Sequence, residues 1–151
     1  MASVNTIAEP AAAAEAVPVS EITGYHAHIY FSSHAEAERA MRLRRLIAER
    51  FSVQIGGWHD RPVGPHPWPM YQVAFDVPTF ATFVPWLMVN RTGLVILVHP
   101  NTDNPKADHL VNSLWLGGRL PLYTDYMQES LKAAGRVRER VVPNTQPHIA
   151  P

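Results

Sequence analysis

Cysteine is absent from the 151 residues, which excludes disulfide scaffolds, thiolate zinc sites and cysteine nucleophiles together. Any metal held here sits on nitrogen and oxygen. An excess of charge is also missing: 13 Lys and Arg balance 13 Asp and Glu, so no net field gathers nucleic acid or an anionic membrane. No apolar run reaches the roughly 20 residues that span a bilayer. The opening stretch MASVNTIAEPAAAAEAVPVSEI lacks the basic and uninterrupted apolar regions of a signal peptide. The expectation is a cytoplasmic protein with no nucleic-acid or membrane partner.

What the chain does carry is histidine, eight residues in 151, about twice ordinary usage. The length suits one domain. Residues 1–20 are rich in Ala, Pro, Ser and Glu and read as a disordered tail, residues 21–135 as the single domain, and residues 136–151 as a second tail.

Within the domain, Tyr25 to Phe31 is aromatic and alternating, the pattern of a strand. Ser33 with Glu36 three residues later predicts a capped helix to about Arg50. Phe51 to Gly57 and Met70 to Phe75 read as strands, Phe80 to Val89 as an apolar helix, and Leu94 to His99 as a buried strand. The order βαββαβ predicts an α+β, ferredoxin-like fold with a four-stranded antiparallel sheet. Beyond it, Asp108 to Leu116 and Tyr123 to Ala134 are expected as further helices. A sheet covered on one face leaves the other bare, with Val53, Ile55, Tyr71 and Val73 too apolar to stay wet. That face calls for a homodimer with α+β barrel-like packing, or for cover from the segment after His99.

The histidines fall into spaced motifs. His26 and His28, two apart on a strand, share one face with Tyr30, their Cβ atoms roughly 7 Å apart. His66 sits in Gly64-Pro65-His66-Pro67, inside a loop whose prolines limit how far the ring wanders. His99 ends the strand LVILVHP. Each motif alone is equally the pattern of a hydrogen-bonded core or turn histidine. Arg91 after the second helix could hold a substrate carboxylate or simply cap the helix, and Asp108-His109 reads as a cap with a surface, ligand or proton-shuttle histidine.

The stretches YHAHIYF (25–31), PVGPHPWPMYQVAF (62–75), VPWLMVNRTGLVILVHP (84–100) and DHLVNSLWLGGRLPL (108–122) together resemble the DOPA 4,5-dioxygenase family of aromatic ring-cleaving enzymes. The resemblance implies a metal-dependent extradiol dioxygenase that opens a catechol such as L-DOPA with O2 on non-haem iron(II), with zinc or manganese as substitutes. It points to His28, His66 and His99 as metal ligands, and to His26 as a fourth ligand or, like His109, the acid/base. Tyr30, Trp68 and Tyr71 are then expected to wall the aromatic ring, with Trp115 read as a core side chain. The motifs contain no carboxylate for the usual two-histidine, one-carboxylate site, which leaves a three-histidine site or a remote residue such as Asp108. The alternatives are a metal-free dimeric α+β barrel that binds small aromatics and a non-enzymatic zinc protein.

Overall fold

Glycine and alternating aliphatic residues make Gly24–Tyr30 a strand, β1, because one set of side chains, Ala27 and Ile29, packs into the core while His26, His28 and Tyr30 point the other way. The computed structural model describes residues 15–151, so residues 1–14 of the expected N-terminal tail lie outside the described residues. After β1 come α1 (His34–Arg50), β2 (Gln54–Ile55), β3 (Met70–Phe75), α2 (Phe80–Asn90), β4 (Ile96–Asn101), α3 (Pro105–Leu110) and β5 (Leu114–Leu116). The α1 entry is a reciprocal cap: Glu36 N donates to Ser33 Oγ at 3.1 Å, and Ser32 N donates to Glu36 Oε2 at 2.6 Å.

The strands form one sheet in the order β2-β3-β1-β4-β5. The first four carry the ferredoxin-like order, and β1 at their centre pairs antiparallel with both β3 and β4. The fifth strand is a correction to the four-stranded sheet, and it falls where a helix from Asp108 to Leu116 was expected. Asn104 caps the helix early by accepting from Ala107 N at 2.9 Å, with Pro105 in the first turn. Ser113 then donates to the His109 carbonyl, and Leu114–Leu116 is free to pair with β4.

No helix forms between Tyr123 and Ala134 either. The backbone there bonds across to the α3 entry, Leu131 N to Asp103 O and Lys106 N to Gln128 O, and makes only isolated turns of its own, Met127 N to Thr124 O and Ala134 N to Ser130 O. The expected C-terminal tail is likewise tied down. The Asn144 side chain bonds both the N–H and the C=O of Ile55, and Thr145 Oγ1 accepts from Val53 N, so this segment covers the edge of β2.

The main core lies between the sheet and α1 and α2, and includes Ile29, Leu43, Ile47, Val73, Phe75, Phe83, Leu87 and Ile96. Each such side chain contributes about 1.5 to 3 kcal/mol by leaving water. Tyr71 and Val73 belong to this core, so the argument that a second copy must cover them on a bare face does not hold. The opposite face, bearing the histidines, receives the other cover foreseen, the chain after His99. Leu120 and Leu122 pack there with Tyr30, Met70, Leu97, Trp68 and Trp115.

Candidate active site

Register decides what meets on that face. β1 and β4 pair so that His26 stands opposite His99 and His28 opposite Leu97, while on the other side His28 stands opposite Gln72. Directly opposed residues share a face, so His26, His28 and His99 converge. His66 arrives from the loop between β2 and β3. Gly64 adopts φ +56, letting the chain turn so that His66 N donates to Val63 O, and Tyr123 N donates to Pro65 O to hold the turn against the C-terminal segment. His109 comes from α3. One cavity of about 350 Å³ is lined by all five imidazoles, those of His26, His28, His66, His99 and His109.

The rings are close. His28 Nε2 lies 3.1 Å from His99 Nε2, and ring centroids are 4.1 Å apart for His28 and His66 and 4.0 Å for His99 and His109. Burial, followed by the neighbouring imidazoles, holds His28 and His99 well below the ordinary histidine range. His66 is lowered to about 3 by burial and then by the other rings. Burial also lowers His109. These four are therefore neutral near pH 7, the protonation state a metal ligand requires.

Backbone carbonyls assign two of the tautomers. His99 Nδ1 is 2.9 Å from the Pro100 carbonyl and His109 Nδ1 is 2.7 Å from the Pro105 carbonyl. A carbonyl only accepts, so both Nδ1 atoms carry the proton and both Nε2 atoms are bare lone pairs. His28 Nε2 must then donate to His99 Nε2 in the protein alone, which leaves His28 Nδ1 buried with no partner. An orphaned nitrogen of this kind costs about 1 to 3 kcal/mol. Neutral nitrogen donors with bare lone pairs and an unsatisfied buried atom fit a divalent transition metal.

Two overlapping trios place their ligand nitrogens within 4.8 Å of one another, His26 with His28 and His99, and His28 with His66 and His109. His28 belongs to both. The expected ligands His28, His66 and His99 are thus brought together, but His66 groups with His109 and not with His99.

Other expected residues fall in different places. Tyr30 is buried and its hydroxyl lies 2.6 Å from His66 Nδ1, while Trp115 stacks on the Tyr30 ring at 5.9 Å. Trp68 packs with this second cluster. Tyr71 is a correction: it lies on the helix side of the sheet, where its hydroxyl donates to Ala40 O. Arg91 is another, since its Nη1 donates to Leu94 O and it rests against Gly117, away from the cavity. Asp108 accepts from Thr102 N and Thr102 Oγ1 on its two oxygens, so it clamps a turn and is spent there.

Gln72 and the run Arg136-Val137-Arg138-Glu139, absent from the expected site residues, also line the cavity. Glu139 Oε2 lies 3.5 Å from His26 Nε2, and the partnership holds the Glu139 carboxyl below its usual range. The run carries no ligand or catalytic motif that would single it out in the sequence.

The chain is 38% identical over 109 residues to an uncharacterized 21.2 kDa protein of Botryotinia fuckeliana, covering 65% of this chain and 60% of that one. It is 35% identical over 111 residues to a DOPA 4,5-dioxygenase of Amanita muscaria, covering 68% of this chain and 49% of that one. It therefore spans about half to three-fifths of the length of these curated relatives. A crystal structure from Nostoc punctiforme, described as a proposed dioxygenase, superposes with a TM-score of 0.69 at 52% identity, covering 71% of this chain and 92% of that one. The sequence profile of the Dopa 4,5-dioxygenase family matches residues 25–126, and the chain belongs to that family.

Proposed function

We propose that this protein is a metal-dependent extradiol dioxygenase that opens the ring of a catechol such as L-DOPA with O2. The observation that carries this reading is the convergence of five imidazoles in one cavity, two of them held by proline carbonyls with bare Nε2 atoms. A cavity of about 350 Å³ has room for a substituted catechol. His28, His66 and His109, whose ligand nitrogens lie within 4.8 Å of one another, are the residues that would hold the metal, with His99 beside His28. Iron(II) would supply the one-electron chemistry that couples a catechol to dioxygen, a reaction zinc in the same nitrogen set does not support.

The chain's own residues prepare the substrate. His26, with Nε2 beside Glu139, keeps Nδ1 as the atom that takes a catechol proton, and the Glu139 carboxylate stabilises the cation so formed. His109 is less suited to that task, because its Nδ1 is committed to the Pro105 carbonyl. Met127 and Leu131 add apolar surface to the cavity wall, against which the aromatic ring can pack.

Anaerobic loading with iron, followed by exposure to air with L-DOPA, caffeate, protocatechuate and catechol, tests the reading. A yellow ring-opened product is expected with one O2 consumed per molecule formed. Protein that holds stoichiometric iron yet gives neither colour nor oxygen uptake with any of the four would overturn it.

A further inference from the structure

The cavity has a second wall that the histidines do not supply. It comes from Met127, Leu131 and the run from Arg136 to Glu139, all beyond the family match that ends at residue 126. Four charged side chains line the cavity: Asp108, Arg136, Arg138 and Glu139. Three are already partnered. Asp108 accepts from Thr102, Glu139 faces His26 at 3.5 Å, and Arg138 donates to the backbone carbonyl and the carboxylate of Glu21.

The Arg136 side chain has no hydrogen-bond or ion-pair partner among the described residues. Of the two arginines that line the cavity, Arg136, exposed to solvent, is the one whose guanidinium no carboxylate or carbonyl holds. A planar fork of N–H donors matches a carboxylate better than any other common substituent.

We propose that Arg136 selects catechols that carry a carboxylate on the ring substituent, binding that carboxylate while the imidazole wall engages the ring oxygens. The proposal rests on the ring-cleavage reading for the ring alone. It moves carboxylate recognition from Arg91, which is occupied by Leu94 O, to the C-terminal segment. Relatives that share only residues 25–126 can then keep the histidine wall and differ in the group they recognise opposite it.

The test compares the full chain, Arg136→Gln, and Arg140→Gln as a control in the same run that removes the same charge outside the cavity lining. With iron-loaded protein, kcat/KM is measured for 3,4-dihydroxyphenylpropionate and for neutral 4-ethylcatechol. Arg136→Gln is expected to lower the preference for the acid at least about tenfold, through KM, and Arg140→Gln to stay within about twofold of wild type.

Equilibrium binding of 3-(4-hydroxyphenyl)propionate and its methyl ester to the same three proteins gives a readout independent of turnover. A tenfold loss of the acid-over-ester preference in Arg136→Gln supports the assignment even if no catechol is cleaved. An acid-over-ester preference that survives Arg136→Gln within about twofold overturns it, whether or not the protein is a dioxygenase.

Discussion

Tyr30 shows how one buried side chain sets what a neighbouring ring can do. Its hydroxyl is 2.6 Å from His66 Nδ1, and burial pushes its own titration up, so it remains a neutral phenol. With His66 Nε2 turned to a metal, Nδ1 carries the proton and the phenol oxygen accepts it, which fixes both ring orientation and tautomer. Tyr30→Phe removes that acceptor and leaves a buried N–H unpaired. Cobalt or zinc affinity, read by competition against a chromophoric chelator, is expected to fall about 10- to 100-fold while the fold persists by circular dichroism. An affinity within about twofold of wild type would show that Tyr30 only fills space.

Among the elements, the turn from α2 into β4 explains a residue whose chemistry looked functional. Arg91 Nη1 donates to Leu94 O at 3.1 Å, and a side chain at Gly117, whose φ is +79, would run into the same guanidinium. The arginine thus ties the α2 exit to the end of β5. Arg91→Ala is expected to cost about 1 to 2 kcal/mol in urea unfolding and to leave the KM for a carboxylated catechol as it is. Gly117→Ala meets both the backbone strain and the arginine, and should cost more. A raised KM in Arg91→Ala would return Arg91 to the site.

The same elements show where sequence reading succeeded and where it stopped. The βαββαβ order was legible because α1 has its cap at Ser33 and Glu36 and β3 alternates from Met70 to Phe75, both local signals. The shared face of His26 and His28 followed from strand alternation, while His66 joined them only through the resemblance to the family. The face of His99 depended on pairing with β1, a non-local quantity that shifts by one residue without changing composition. The run from Arg136 to Glu139 escaped for the same reason: its bonds go to Glu21 and His26, more than 100 residues away in the chain.

For the whole molecule, burying four histidines side by side makes stability depend on pH. His28, His66, His99 and His109 all titrate lower in the folded protein than the ordinary value of 6.5, with burial the first cause and His66 at about 3. Between those limits the unfolded chain binds more protons than the native one, so unfolding free energy rises with pH. The stability is fully present above 6.5 and is lost as pH falls from there toward 3. Each histidine that stays neutral while its unfolded counterpart protonates adds about 1.4 kcal/mol per pH unit to the slope. Metal-free protein should therefore show urea midpoints that are level from pH 7 to 8 and fall steeply from 6.5 to 5. His66→Asn removes one of the four groups and should flatten that slope by about one proton. His34→Gln, which changes a histidine on the exposed face of α1 beside Glu38, should not. Equal slopes for His66→Asn and wild type would mean that the cavity admits enough water to hold His66 charged, and the neutral imidazole cluster would have to be given up.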